Sequence, residues 1–170
     1  MRIIILFIAS SLDGFIAREN GDVSWLFTDA DYGYKNFYKS VDTVIMGRKT
    51  YEKSLEFEKE PYKDKKCYVF SRNKSPRKFE NVEFVNDAVS FAKKIIKSKG
   101  RDIWLVGGSD IISIFLNNGL LDEVIIYQHP VILGRGIPLF KKIKKDVKLK
   151  FVKSRIYKSG LVQLNYEVLK

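Results

Sequence analysis

Short apolar runs alternate along this chain with segments of helical period, and this alternation limits the fold to the α/β class. Runs rich in β-branched residues predict buried strands, and amphipathic spacing predicts helices. Strands are expected over residues 3–10, 43–46, 66–71, 82–85, 103–106, 123–133, 148–157 and 161–169, and helices over residues 29–39, 49–55, 87–99 and 109–118. A β-α-β succession of this kind favours a mostly parallel sheet with right-handed crossovers and helices on its faces.

The two ends of the chain need separate arguments. Ser159 and Gly160 separate the last two predicted strands with no room for a helix, so these strands should form an antiparallel hairpin at the edge of the sheet. Arg2 and the apolar run after it resemble the start of a signal peptide, but the β-branched residues and following turn residues favour a buried strand. No run approaches the ~20 apolar residues of a membrane span. Without an internal repeat or linker, residues 1–170 are expected to form one domain.

The charge balance narrows the classes of partner. Lys and Arg number 31 against 20 Asp and Glu, so the formal net charge is +11 and anions are the expected partners. The lysine pairs around Ile143 lack the interleaved aromatic residues of a base-stacking platform, which argues against a nucleic-acid interface. One cysteine, Cys67, and one histidine, His129, cannot build a disulfide framework or a structural zinc site. We therefore expect no metal and a cytoplasmic location.

Two glycines mark a candidate phosphate site. Gly107 and Gly108 follow an apolar strand, and Ser109 and Asp110 open the next helix. Paired glycines let backbone N–H groups approach an anion, and the helix N-terminus adds unsatisfied donors and a partial positive charge. A tight strand-to-helix turn capped by Ser109 or Asp110 would produce the same pattern.

Cations follow two other predicted strands. Gly47, Arg48, Lys49 and Thr50 start a helix, where positive charge opposes the helix dipole unless an anion binds, although ordinary surface charge is the alternative. Ser71 and Arg72 end a further strand. Ligands gather at the carboxyl ends of strands in open α/β sheets, so the three ends would share one crevice if their strands are neighbours. That arrangement suits a cofactor with several phosphates.

In order, and over nearly the whole chain, these segments resemble the dihydrofolate reductase superfamily, and within it the reductase domain of the bifunctional riboflavin-biosynthesis protein. The matching stretches are SLDGFIA at 11–17, GDVSWL at 21–26, MGRKTYE at 46–52, VFSR at 69–72, WLVGG at 104–108 and PVILGRGIPLF at 130–140. The resemblance implies an eight-stranded mixed sheet flanked by helices, with NADPH bound across it. By that resemblance, residues 47–50 hold phosphates and ribose, Ser71 and Arg72 take the adenosine 2′-phosphate, and residues 107–110 line the pyrophosphate.

The substrate side carries a weaker match. The resemblance implies substrate contacts from Asp13, Trp25 and Asp31. The acidic residue that a dihydrofolate reductase carries on the helix after its tryptophan loop falls on Ala30, so Asp31 is the candidate catalytic acid. Since one residue along a helix turns a side chain by about 100°, that offset argues against folate as the substrate. For Asp29, the alternative to a role in the substrate site is an interaction of its carboxylate with the dipole at the helix N-terminus.

These observations predict an NADPH-dependent reductase of a small substrate. The leading substrate is 5-amino-6-(5-phosphoribosylamino)uracil, whose phosphate suits a basic chain, and dihydrofolate or another pterin is the alternative. A non-catalytic module that binds nucleotides or nucleic acid remains a third possibility. The apolar strand predicted at 123–133, placed near a sheet edge, invites association through unpaired backbone, so we also expect a homodimer, as the resemblance implies.

Overall fold

The computed structural model describes residues 1–72 and 79–170. In chain order its elements are β1 Ile4–Ser10, β2 Phe15–Ala17, α1 Tyr34–Ser40, β3 Val41–Gly47, α2 Arg48–Phe57, β4 Lys66–Phe70, β5 Val82–Val85, α3 Ala88–Ile95, β6 Asp102–Gly107, α4 Ser109–Asn117, β7 Glu123–Gln128, β8 Ile137–Pro138, β9 Leu149–Ile156 and β10 Val162–Val168. No helix within these ranges is long and apolar enough to cross a membrane.

The main sheet has eight strands in the order β5-β4-β3-β6-β1-β7-β10-β9. The six strands from β5 to β7 in this order run parallel to one another, whereas β10 is antiparallel to both β7 and β9. This arrangement confirms the predicted mixed, mostly parallel sheet and its C-terminal antiparallel hairpin. The short strands β2 and β8 form a separate antiparallel pair that the sequence analysis did not predict.

Alternation along the strands divides the core between two faces of the sheet. Ile4 and Leu6 of β1 pack in the cluster that contains the buried residues of α3 and α4. Ile5 and Phe7 pack in the cluster on the opposite face, where Phe37 of α1 lies. Complete burial of an Ile or Leu side chain contributes roughly 1.5–3 kcal/mol. The apolar run after Arg2 therefore forms a central strand that supports both layers.

The first helix begins later than the pattern predicts. A helix over residues 29–39 was expected, but α1 begins at Tyr34. Tyr32 has a φ of 52° and Gly33 a φ of 87°, and a right-handed helix cannot continue through two residues in that region. Asp31 therefore lies on a loop before α1, and the argument from a 100° helical rotation between Ala30 and Asp31 is wrong.

The predicted strand over residues 123–133 is also too long, and its predicted position is wrong. The strand β7 ends at Gln128, two residues before Pro130, which has no N–H to offer a ladder. It lies between β1 and β10, so it is no edge strand. One edge of the sheet is β9, and all eight of its residues are exposed.

Candidate functional site

Three parallel neighbours, β4, β3 and β6, end at the same edge of the sheet. Gly47 lies opposite Phe70, and Met46 lies opposite Gly107. The three predicted phosphate-binding segments therefore do follow adjacent strands, and we call the space beyond these strand ends the crevice. Ser71 comes directly after β4, and its backbone N–H donates to the Val85 carbonyl oxygen at 3.0 Å.

Two helices begin at the crevice without a side-chain cap. The cap residues are Gly47 for α2 and Gly108 for α4, and neither helix receives a capping hydrogen bond from a side chain. The two starts are close together, because a Cβ built on Gly108 would lie 3.2 Å from Thr50 Oγ1. Gly107 has a φ of 127°, which a residue with a side chain rarely adopts. Uncapped first-turn N–H groups of two adjoining helices make a cradle for an anion.

Charged side chains surround this cradle. Arg48 pairs with Glu52 at 3.0 Å but remains 44% exposed, and Lys49 and Arg72 are exposed as well. Asp110, an acid that would repel phosphate, is neutralised by Lys141, whose Nζ lies 2.9 Å from the Asp110 carboxylate. The net charge near the cradle is therefore positive.

Ser109 makes a different contact from the one predicted for its side chain. Its hydroxyl is buried and donates to the Pro138 carbonyl oxygen, which ties the start of α4 to β8. Any contribution of Ser109 to anion binding would come from its backbone N–H.

A cavity of about 380 Å³ lies further along the same edge, at the ends of β1 and β7. The lining comes from both strands, from the residue after β7, from the loop before α1 and the first residue of α1, and from the β9–β10 turn: Phe7, Ala9, Leu26, Phe27, Ala30, Asp31, Tyr32, Tyr34, Tyr127, His129 and Leu161. Since β1 is the neighbour of β6, the cavity lies directly beside the crevice.

Two tyrosine hydroxyls fix the loop that closes this cavity. Tyr127 Oη and Tyr157 Oη both donate to the Tyr32 carbonyl oxygen, at 2.9 and 3.0 Å. Burial raises the pKa of Tyr127, so its hydroxyl keeps its proton. Burial likewise raises the pKa of Tyr34 to about 12. The cavity is thus bordered by neutral phenols.

His129 is a fixed wall of the cavity. Its Nε2 accepts the Phe27 backbone N–H at 3.2 Å, and its Nδ1 lies 3.1 Å from the Tyr127 carbonyl oxygen. Both contacts are satisfied together only by the neutral ring with its proton on Nδ1. Burial lowers the pKa of His129, which favours the same neutral form. Both nitrogens are therefore engaged within the protein.

Asp31, the predicted catalytic acid, does line the cavity. It is exposed, and its two carboxylate oxygens accept the N–H groups of Gly33 and Lys35, each at 3.1 Å. Ala30 lines the cavity too. The carboxylate therefore reaches the cavity from a loop, while it also satisfies donors at the start of α1.

Asp13 and Trp25, the other two predicted substrate residues, are outside the cavity lining. The Asp13 carboxylate accepts hydrogen bonds from the Ser11 hydroxyl and from the Leu133 and Gly134 N–H groups, and these bonds, the Ser11 one above all, lower its pKa. The Trp25 ring packs edge-on against His129, 5.2 Å between centroids. Its Nε1 is buried without a hydrogen-bond partner among the described residues.

The aromatic wall of the cavity was not predicted from the sequence, although part of the signal was present. Phe7 and Ala9 alternate along β1, and Tyr127 and His129 alternate at the end of β7. Residues two apart on a strand share a face, so these four were expected to point the same way. The aromatic residues between 27 and 34 join them only through a loop, which periodicity does not predict.

Comparison with known proteins identifies the family. The profile described as the RibD C-terminal domain matches residues 2–163. The chain belongs to the RibD C-terminal domain family. This finding confirms the resemblance inferred from the sequence motifs.

Relatives of this family cover nearly the whole chain. The uncharacterized protein YyaP of Bacillus subtilis is 40% identical over 178 residues, which cover 97% of this chain and 94% of YyaP. A putative riboflavin biosynthesis protein from Shewanella sp. PV-4 superposes with a TM-score of 0.87 at 30% identity, over 99% of both chains.

A more distant structure shares the fold. The Thermotoga maritima deaminase and 5-amino-6-(5-phosphoribosylamino)uracil reductase superposes with a TM-score of 0.76 at 18% identity. That match covers 99% of this chain and 57% of the Thermotoga protein. The chain thus has the RibD reductase fold.

Proposed function

We propose that this protein is an NADPH-dependent reductase. The observation that carries the proposal is the pair of uncapped helix starts at Gly47 and Gly108, directly beside an aromatic cavity. From β4 to β1 the sheet spans three strand spacings, about 14 Å at ~4.8 Å each. An extended dinucleotide along this edge would place its phosphates at the helix starts and its ring beside the cavity.

The chain's own residues fit such a cofactor. The backbone N–H groups at the starts of α2 and α4 would hold the pyrophosphate, with charge from Arg48 and Lys49, and Thr50 would contact the ribose. Ser71 and Arg72, after β4, would hold a 2′-phosphate. When bound, the cofactor supplies the hydride. Phe7 and Tyr127 would exclude water from the reacting atoms, and Asp31 is the candidate donor of the accompanying proton.

The test is cofactor preference in the Arg72→Ala variant. A hydrogen bond to a charged group contributes roughly 1.5–3 kcal/mol, so Arg72→Ala should weaken NADPH binding about ten- to a hundred-fold and leave NADH binding unchanged. Arg135→Ala is the matched control, because Arg135 is 84% exposed and pairs with Glu19 outside the crevice. Equal affinity of the unmutated protein for NADPH and NADH would refute the role of Arg72.

The substrate, in this proposal, is a small nitrogen heterocycle. The reductase activity named for the Thermotoga protein supports 5-amino-6-(5-phosphoribosylamino)uracil or a related compound. The carboxylate of Asp31 in the cavity supports a dihydropterin as the second candidate, because such a group orients the ring and assists the protonation of its nitrogen. NADPH oxidation is to be measured with both. Rapid dihydrofolate turnover that Asp31→Asn abolishes would favour the pterin.

We also propose that two copies of the chain associate through β9. Its outer side pairs with no other strand among residues 1–72 and 79–170, and Phe151, Val152 and Ile156 are 56%, 49% and 78% exposed. Four of its eight residues are apolar, and exposed apolar side chains on an edge strand of this length invite pairing with a second one, whereas Lys150, Lys153 and Arg155 on the same strand oppose it. Sedimentation should show a species of twice 19.7 kDa that Ile156→Lys dissociates. A single species of monomer mass at micromolar concentration would refute the association.

A further inference from the structure

We infer that the cavity selects an uncharged planar ring and disfavours substrates that carry a phosphate or carboxylate group. The inference rests on the proposed reductase function, because that function makes the cavity the substrate site. It narrows the substrate class to heterocycles without an anionic group. Among the proposed substrates it therefore favours an uncharged pterin or a uracil without its phosphate over 5-amino-6-(5-phosphoribosylamino)uracil and over dihydrofolate, whose glutamate carries carboxylates.

The walls of the cavity are mostly aromatic. Five phenyl or phenol rings and one imidazole line the cavity, from Phe7, Phe27, Tyr32, Tyr34, Tyr127 and His129. Aromatic rings contact a flat ligand through offset stacking or edge-to-face packing, and each such pair adds to the gain from burying apolar surface. A volume of about 380 Å³ accommodates a bicyclic ring with small substituents.

Most polar groups of the lining are already engaged. Tyr127 Oη donates to the Tyr32 carbonyl oxygen at 2.9 Å, and Tyr32 Oη donates to Asp29 at 2.8 Å. The nitrogens of His129 contact Phe27 N–H and the Tyr127 carbonyl oxygen. An anion in the cavity would therefore lose its hydration without a set of donors to replace it, which is costly.

The charges around the cavity disfavour an anion more strongly than the lack of free donors does. Asp31 is the one charged side chain in the described lining, and neither Lys nor Arg occurs there. Arg155 lies over the ring of Tyr157, 4.8 Å from its centroid, and is outside the lining. An anion would thus meet a carboxylate and no cation. The crevice beside it holds Arg48 and Lys49, so the positive charge lies on the cofactor side.

The test compares two fluorescent rings of similar size that differ in one negative charge. 6-Methylpterin and 6-carboxypterin are titrated into the full chain without cofactor, at neutral pH and low salt, and ring fluorescence is followed. We expect 6-methylpterin to bind at least tenfold more tightly. Asp31→Asn should narrow this ratio several-fold, and Ala30→Lys should reverse it. Asp146→Asn is the matched control, because this exposed acid is outside the cavity lining and bonds none of its residues, and it should leave the ratio unchanged.

Two results would overturn the inference: equal or tighter binding of 6-carboxypterin, or no saturable binding of 6-methylpterin. Thermal unfolding of each variant separates a lost fold from a lost preference, and Asp31→Asn tests the charge even if Ala30→Lys fails to fold. NADPH is titrated in parallel. If the unmutated protein prefers 6-methylpterin but does not bind NADPH, the reductase proposal alone is refuted. If it binds NADPH but does not prefer 6-methylpterin over 6-carboxypterin, the cavity inference alone is refuted.

Discussion

The Tyr32 carbonyl oxygen offers a sharp test of how the cavity loop is held. Tyr127 and Tyr157 donate to it from two different parts of the chain, at 2.9 and 3.0 Å. Tyr157 Oη also lies 3.1 Å from Gln163 Oε1, so its single proton has two acceptors. The perturbations are Tyr127→Phe, Tyr157→Phe and the double variant, each of which deletes a hydroxyl and keeps the ring.

The magnitude follows from counting donors. Each single variant leaves the Tyr32 carbonyl oxygen with one donor, so each should lower the free energy of unfolding by about 0.5–1.5 kcal/mol. In Tyr127→Phe the Tyr157 proton shifts fully to Tyr32, which softens the loss. The double variant leaves this part-buried oxygen without either donor; an unsatisfied buried acceptor costs about 1–3 kcal/mol, and a part-buried one lies at the lower end of that range. The double variant should therefore lose about 1 kcal/mol more than the sum of the single losses.

Urea unfolding of the four proteins measures this coupling directly. Tyr166→Phe is the control, since the Tyr166 hydroxyl makes no hydrogen bond within the described part of the chain, and its effect should be close to zero. Additive losses, with a coupling energy indistinguishable from zero, would show that the two hydroxyls do not share the Tyr32 oxygen and that the loop is held in another way.

Three further changes probe other contacts. Burial lowers the pKa of His129 below its ordinary 6.5, so the unfolded chain binds the proton first as the pH falls. The free energy of unfolding should therefore decline as the pH falls from 6.5 to the pKa of the folded protein. Thermal melting at a series of pH values measures this decline, which should be smaller in His129→Gln. Gly108→Val should keep the fold, since its φ of −77° and ψ of −168° suit any residue and a Cβ there crowds only the Thr50 hydroxyl, 3.2 Å away, but should lose NADPH binding in a titration because the added side chain occupies the cradle between the two helix starts. Asp13→Ala should speed amide hydrogen exchange at Leu133 and Gly134, whose N–H groups it binds; unchanged exchange would contradict that tie.

The sequence predicted the central sheet because its strands are long enough to show a pattern. Each of the eight predicted strands overlaps one strand of the main sheet. The strands β3, β4 and β6 are neighbours, so the segments that follow them begin at the same edge of the sheet. The pair β2 and β8 was missed, since three and two residues carry no periodicity. Strand order is set by packing between distant segments, so the placement of β7 near an edge was wrong.

Much of the candidate site lay beyond such reasoning. The φ of 52° at Tyr32 is rare for a residue with a side chain, and no local sequence pattern predicts it. It delays α1 and directs residues 26–34 across the ends of β1 and β7. The ion pair of Lys141 with Asp110 joins residues far apart in the chain, so the sequence alone left Asp110 as an unexplained negative charge.

The order of strands in the sheet also has a consequence for how this protein could be redesigned. The candidate cofactor residues follow β3, β4 and β6, whereas the cavity walls come from β1, β7, the loop over residues 26–34 and the turn at Leu161. Separate stretches of sequence thus determine the substrate preference and the cofactor preference. In the fold these stretches meet at the boundary between β6 and β1. A graft of residues 26–34 and of the β9–β10 turn from a relative would exchange one preference and leave the other in place.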